Sequence, residues 1–453
     1  MYFDVPPHLN YFPISLQIIV VVLFILGLDP FLPIFQRGIL YGDSNIREAS
    51  AAGLGELITL TAKKYLAGPS TIKMTGPLLR IVGDRNPAAV KVAIINTLGL
   101  ILTKGGPALR AFVPQFQTTF VKALSDPYRQ VRLRAISALG LLMPLSTRLD
   151  PLIKELVSSS LGKGTISSVD ESAGKVAIQT ATLEALAVVL KEGGKKAKLP
   201  DSIPSALEAG KELLTHEDEG VREGAAKVLG ATCGLVDPSN ILDIIENIIV
   251  RNKTMDLDDY DDDSAEFRHG QSICCFHLFY SISINNKSIT VPQDLFEQTV
   301  DIILERMMDE KTFVREAACQ AVGALLGSAS DVSSCLQQIE TTVLKIMIPK
   351  ENTEVLKSLA RGLCVAVRLN PAELLIHEGD ALLLKILDGA LTCSMQCTQR
   401  VQLAFHNFLW LALDVENGET GLNRYADMAM FESVKSMKSI YSKILVRIKS
   451  VEL

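Results

Sequence analysis

The sequence predicts an all-α solenoid of about nine two-helix repeats, and three observations carry that prediction. A short phrase with an aliphatic or aromatic anchor recurs every 41 to 47 residues, in most copies with a cation after the anchor, a small residue nine places on and an acidic turn before it. Self-similarity at a fixed period is the mark of stacked repeats, in which a unit buries its apolar face only against its neighbours.

The phrase is clearest as Asn45-Ile46-Arg47-Glu48-Ala49, Gly220-Val221-Arg222-Glu223 and Phe313-Val314-Arg315-Glu316-Ala317. Taking its aliphatic or aromatic residue as an anchor gives positions 46, 90, 131, 176, 221, 267, 314, 355 and 401, one ladder without a gap. The residue nine after each anchor is Gly55, Gly99, Gly140, Ala185, Gly230, Phe276, Gly323, Cys364 and Trp410. Seven of these nine are small, so adjacent helices are expected to approach closely there.

Asp43, Asp84, Asp126, Asp170, Asp218 and Asp309 precede six of the anchors. An acid just ahead of an apolar run marks a helix start, where a carboxylate can accept from free backbone N–H groups and meets the positive end of the helix dipole. Each anchor therefore opens a second helix. Ahead of the turns lie stretches of helical period, such as Phe112, Val113, Phe116, Phe120, Val121 and Leu124 before Asp126, or Leu295, Val300, Ile303 and Leu304 before Asp309. A two-helix unit of this length selects the HEAT/armadillo class over repeats of 33 or 34 residues.

Composition fits: 48% of the 453 residues are hydrophobic and only 6% aromatic, as expected of amphipathic helices packed through small side chains. With 45 basic and 51 acidic residues the net charge is −6. No global basic field is present to draw nucleic acid or anionic lipid. The eight cysteines lie scattered in apolar stretches and read as reduced core thiols, including Cys393 with Cys397 and the Cys274, Cys275, His277 group.

Catalytic and cofactor signatures are missing. Gly162-Lys163-Gly164-Thr165 lacks the earlier glycine and the strand of a phosphate loop, and no GxSxG or HExxH occurs. The six histidines are too dispersed for a triad. The aspartate run at 256–263 has neither the glycine nor the glutamate of a calcium loop in register, so it reads as a solvated insertion. The expectation is a protein that is not an enzyme and takes no cofactor or metal.

Three further segments stand apart from the ladder. Gly162 to Asp170 lengthens one turn, and Lys191 to Lys198 is a basic inter-unit loop. Ile14 to Leu28 carries no charge for 15 residues, but a span needs about 20 apolar residues and the cationic flank of a signal peptide is missing. It is read as a buried helix, a truncated repeat or a foreign stretch, with a membrane-tethered adaptor as the competing reading. The organisation is then 1–29 as an apolar segment, 30–422 as the solenoid and 423–453 as an amphipathic capping helix.

One unit is more specific than its class. Thr75-Gly76-Pro77-Leu78-Leu79-Arg80-Ile81-Val82-Gly83-Asp84-Arg85, with Phe112 to Leu124 after it, resembles the carboxy-terminal third of the translational activator of general amino-acid control. The likeness runs through Ser146 to Leu152, Glu217 to Arg222 and Asp309 to Ala317, covering roughly 36–330 well and the rest only as repeats. The segment between Tyr65 and Thr75 departs from the longer helix of that family, and together with the apolar start this reads as a fragment or an imperfect gene model. The resemblance implies a cytosolic, ribosome-associated scaffold that grips the RWD domain of the kinase acting on initiation factor 2 alpha and promotes its activation in amino-acid starvation. Ribosome contact would reside in parts of a longer protein.

Arg85 and Arg80, then Arg132 and Arg134, are the residues expected to touch the kinase. A guanidinium fork suits carboxylates on a partner. A purely structural reading exists for three of them, in which Arg85 ties its own turn and Arg132 and Arg134 pair with neighbouring acids. A transport receptor or phosphatase scaffold of the same architecture is the alternative class, expected to show acidic inner helices or a closed repeat number, and neither pattern is visible.

Overall fold

The structure is a computed structural model describing residues 27–412 except 64–65, 67–68, 84, 165–171, 251–263, 286–288, 329–331, 333, 349, 370–385, 387–388, 391 and 394–395. Among the described residues there are helices and no strand, as the periodicity requires. The chain divides into two compact units, Met1–Ser205 and Ala206–Leu453.

In the first unit α1 (Leu32–Tyr41) pairs with α2 (Ser44–Leu60), α3 (Pro69–Ile81) with α4 (Ala88–Gly105), α5 (Val113–Ala123) with α6 (Arg129–Leu142), and α7 (Asp150–Ser160) with α8 (Ser172–Gly193). The second helices stack in order, α2 on α4, α4 on α6 and α6 on α8. In the second unit α9 (Ser202–Glu212), prolonged by a 3-10 turn, meets α10 (Glu219–Thr232); α11 (Pro238–Ile244), prolonged by a π turn, meets α12 (Ala265–Asn285); and α13 (Gln293–Arg306) meets α14 (Thr312–Leu326). Then follow α15 (Leu336–Ile346), α16 (Thr353–Leu369) and α17 (Gln399–Ala412). Here α10, α12, α14, α16 and α17 stack successively.

The anchors are core residues. Val90, Val131, Val221, Phe267, Val314, Val355 and Val401 are buried. Two differ: Val176 is half-buried, with Ile178 buried beside it, and Ile46 is half exposed over its own hairpin, against Gly38 and Gly42 of the α1 end. The first helices bury the expected side chains, Phe116 stacking on Phe120 with ring centroids 5.8 Å apart. Ala88–Ala123 has the length and apolarity of a membrane span, yet 56% of its most apolar stretch is buried inside the protein.

The small residue nine past the anchor is where the second helices meet. A Cβ on Gly140 would stand 2.7 Å from a Val188 methyl, and one on Gly230 would stand 2.8 Å from the His277 carbonyl oxygen. At Gly323 it would overlap the Gly362 carbonyl, and a Cβ on Gly362 would overlap the Cys319 carbonyl. Gly99 has more room, its nearest neighbour being Leu141 Cδ1 at 3.3 Å.

The turn acids divide into two kinds. Asp43 and Asp218 are N-caps, accepting from the N–H of Ile46 at 2.9 Å and of Val221 at 3.1 Å. Asp126 and Asp309 sit two residues ahead of the N-cap position, accept from the N–H of Tyr128 and Lys311, and pair across to Lys91 and Arg268 of the preceding second helix, both at 2.6 Å. Cations that follow an anchor also bind the turns. Arg132, Arg222 and Arg315 each donate from Nη1 to the carbonyls six and five residues back.

Lysines close the far ends of the helices. Lys104 Nζ donates to the carbonyls of Ile58, Thr59 and Thr61 after α2, and Lys196 Nζ to those of Met143, Pro144 and Ser146 after α6. A cation at a helix carboxyl end satisfies carbonyls that have no intrahelical partner. The basic loop at Lys191–Lys198 is thus partly structural. Its Lys198 N–H, with those of Leu199 and the Ser202 hydroxyl, also donates to Asp150, and these bonds hold the Asp150 carboxyl below the usual range. Residues 165–170 of the long turn, the aspartate run at 256–263, residues 14–26 and the terminal segment 423–453 lie outside the described residues.

All eight cysteines are free, and Cys233, Cys274, Cys275, Cys319, Cys335 and Cys393 are buried. Burial pushes the Cys233 thiol up to about 12, so it is inert as a nucleophile at neutral pH. In the second unit His269, 4% exposed, accepts at Nδ1 from Arg222 Nε at 3.0 Å and packs edge-on to Phe313, over which the Arg222 guanidinium also lies. Burial, then the Arg222 charge, push His269 down to about 4, against an opposing pull from Glu223; the exposed Glu219 lies 3.9 Å from Nε2.

Three outcomes follow from this packing. Gly323→Ala should destabilise the protein by about 2–4 kcal/mol in thermal or urea unfolding, because backbone must move, whereas Gly99→Ala should cost under about 1 kcal/mol. Lys91→Met should cost about 3–5 kcal/mol by leaving the buried Asp126 carboxylate without its cation, more than an exposed lysine such as Lys73→Met. His269 has a depressed pKa in the folded state, so its stabilisation is full above the ordinary histidine value of about 6.5 and is lost as pH falls toward 4. Lowering pH from 7 to 5 should therefore remove about 2 kcal/mol through this residue, and His269→Gln should shrink the measured acid sensitivity by that amount.

Candidate functional site

The turns of the second and third hairpins enclose a groove of about 730 Å³ whose lining includes Arg80, Val82, Arg85, Lys91, Lys122, Asp126 and Tyr128. Its shape follows from local sequence. Asn86 donates from Nδ2 to the Ile81 carbonyl at the end of α3 and accepts from Arg47 Nη1 at 3.0 Å, which folds the chain back on itself. Pro87 then fixes the entry to α4 with φ −57°. On the other side Asp126-Pro127-Tyr128 makes the turn between α5 and α6.

Salt-bridged Lys91 and Asp126, with side chains 7% and 6% exposed, form the groove's floor. Because this pair is buried and mutually satisfied, it contributes rigidity and no free charge to a visitor. Arg80, at the end of α3, and Arg85, in the turn, are both exposed, and neither makes a hydrogen bond or ion pair to a described residue. Two guanidiniums without partners among the described residues therefore line one polar cleft, each able to present two parallel N–H donors to a carboxylate.

The four arginines singled out from sequence are thus not equivalent. Arg80 and Arg85 share the groove. Arg132, half-buried on α6, uses its guanidinium on the Asp126 and Pro127 carbonyls at 2.8 and 3.0 Å; burial lowers its pKa against an opposing pull from Asp126. Arg134 is exposed two residues on and does not line the groove. Lys91, Lys122, Asp126 and Tyr128 were not foreseen as neighbours of Arg85. The signal for Lys91 and Asp126 was available: a cation just after an anchor and the acid of the next turn recur as Arg268 and Asp309.

Among the described residues no three His, Cys, Asp or Glu side chains are grouped to hold a metal ion. The second groove, on α15, is lined by Gln337, Glu340, Thr341, Leu344 and Lys345, with no cluster of like charge. The arrangement at Arg80 and Arg85 offers donor forks suited to an anion.

Comparison with known proteins agrees with the repeat. Residues 150–451 match the family model described as stalled ribosome sensor GCN1-like HEAT repeats. The match includes the region beyond residue 330 that sequence likeness covered only as repeats, and it begins after Arg80, Arg85, Arg132 and Arg134. The chain is 36% identical over 300 residues to Protein ILITYHIA of Arabidopsis thaliana, and 30% identical over 306 residues to the eIF-2-alpha kinase activator GCN1 of Dictyostelium discoideum. Each alignment takes in 66% of this chain and 10% of the relative, so the chain spans about a tenth of their length. Among solved structures, the Kap95:Nup1 complex superposes with a TM-score of 0.53 at 16% identity, over 95% of this chain and 54% of that one, which shows the helical-repeat fold alone. By its repeats and its relatives, this chain belongs to the stalled ribosome sensor GCN1-like family of HEAT-repeat proteins.

Proposed function

We propose that this chain is a regulatory scaffold that binds the RWD domain of the kinase acting on initiation factor 2 alpha and promotes that kinase's activation in the amino-acid starvation response. It acts by being bound, without catalysis of its own, in the cytosol. Family membership supports the pathway, since a relative is named as an activator of that kinase. The observation that supports this region of the chain as the contact is the pair of guanidiniums, Arg85 and Arg80, that line one groove and have no partner among the described residues. Arg132 and Arg134 follow as secondary contacts, Arg132 chiefly by holding the turn in shape. Ribosome association is assigned to regions of the relatives that this chain does not match. A transport receptor or phosphatase scaffold has only the shared fold in its favour.

The test is a pull-down of the kinase's RWD domain with the full chain and with Arg85→Glu, the two having equal helicity by circular dichroism. The expected result is specific binding by the parent, weakened at least about ten-fold in the variant, since reversing a charge-assisted contact removes an attraction and adds a repulsion. A folded parent that captures no RWD domain would overturn the kinase reading.

A further inference from the structure

The inter-unit loops of the first unit stand along one edge. Stacking of α2, α4, α6 and α8 brings their carboxyl ends together, and two lysines mark the contact: Lys104 at the end of α4 reaches the carbonyls that close α2, and Lys196 after α8 reaches those that close α6. These two are occupied by the fold. Six more cations lie in the same loops and the last turns leading into them: Lys63, Arg110, Arg148, Lys191, Lys195 and Lys198. All six are exposed, and none has a side-chain hydrogen bond or ion pair to a described residue. Glu192 and Asp201 are the acids set among them. A cation near a helix carboxyl end is favoured by the helix dipole alone. That effect would act equally in the second unit, yet the corresponding loops there, at 233–237 and 327–335, carry Asp237 and Asp331 and no cation. The charge therefore belongs to this edge and not to the repeat.

We propose that this edge binds the phosphate backbone of a nucleic-acid double helix. Packed helices lie about 8–10 Å apart, so four second helices set the cations out over roughly 25–30 Å, a run that meets successive phosphates. Four of the six are lysines, flexible point charges that suit a row of phosphates, whereas capture of a carboxylate favours the guanidinium fork. The two grooves described above lie at the hairpin turns and on α15, so this edge offers no cleft to enclose a peptide. Among the described residues these loops expose no aromatic ring, on which the bases of a single strand would stack. The loop backbone also permits close approach. Gly105-Gly106 and Gly193-Gly194 lead into 3-10 turns, Gly106–Phe112 and Gly194–Lys196, which carry Arg110 and Lys195. Gly106 takes φ +55° with open space where a Cβ would stand. With a net charge of −6 on the chain, the attraction is local to this edge. The inference is independent of the kinase reading, whose residues lie toward the hairpin turns.

The experiment measures fluorescence anisotropy of a labelled RNA duplex of about 16 base pairs, and of the DNA duplex of the same sequence, with the full chain from low to physiological salt. Affinity should fall with salt, log K against log salt having a slope of roughly −5 for about six phosphate contacts. Variants are first matched to the parent for helicity, and Lys196 is left in place because it holds carbonyls. Lys195→Glu combined with Lys198→Glu should weaken binding at low salt at least about ten-fold and make the slope shallower by about 2, and Arg148→Glu should make it shallower by about 1. Arg129→Glu, which alters an exposed cation at the amino end of α6 on the opposite edge, should stay within about two-fold of the parent. The tighter of the two duplexes identifies the nucleic acid, and this pattern supports the proposal whether or not the RWD domain is captured. No duplex binding at low salt, equal loss in Arg129→Glu, or an unchanged slope in the double variant would overturn it. So would tighter binding of a single strand of equal length, a polyglutamate peptide or phosphatidylserine vesicles.

Discussion

The closeness of consecutive second helices is the constraint on which each unit depends. A hairpin of two amphipathic helices cannot hide both apolar faces by itself, and its stability comes from the neighbour. Close approach without a side chain between the backbones brings many atoms into dispersion contact at once. That is why Gly323 and Gly362 face each other backbone to backbone, and why Gly140 and Gly230 stand against Val188 and His277. Glycine weakens a helix by about 1 kcal/mol relative to alanine, so its recurrence at the middle of these helices reflects packing that outweighs propensity.

Once the helices are this close, their ends become crowded with unpaired backbone groups and with charges that cannot all reach water. The protein answers with the same few side chains repeatedly. Acids at the turns cap amino ends or receive a cation from the preceding second helix, and lysines such as Lys104 and Lys196 take up orphan carbonyls at the carboxyl ends. Buried cations held in this way are structural, and removing one leaves its counterpart uncompensated. The cluster of Arg222, His269 and Phe313 belongs to the same economy of buried polar groups, and its cost appears as sensitivity to acid.

How much of this was legible in the sequence follows from range. Periodicity and helix starts are local properties, so the anchors, the small residue nine places on, and the caps at Asp43 and Asp218 could be read directly. Asp126 and Asp309 looked like caps but serve as ion-pair acceptors, because the competing cation lies 35 or 41 residues away. Ile46 matched the anchor pattern yet is half exposed, since pattern reports which residue faces inward and not whether a neighbour covers it. The basic run at Lys191–Lys198 read only as an inter-unit loop for the same reason: the carbonyls bound by Lys196 are about 50 residues earlier.

The same limit applied to the site, and it shows how a repeat protein separates recognition from support. Arg132 and Arg85 are chemically identical and were singled out together, but Arg132 occupies the position after an anchor, where Arg222 and Arg315 make the same two carbonyl bonds. At that position Lys91 and Arg268 are instead paired with the next turn's acid, so a cation after an anchor is engaged within the solenoid in either way. Arg80 and Arg85 fall between the anchors, at positions to which the ladder assigns no bond, and there the guanidiniums have no partner among the described residues. In a fold that repeats its supporting contacts, the charged residues left over after the repeat has been satisfied are the ones with a fork available to another molecule.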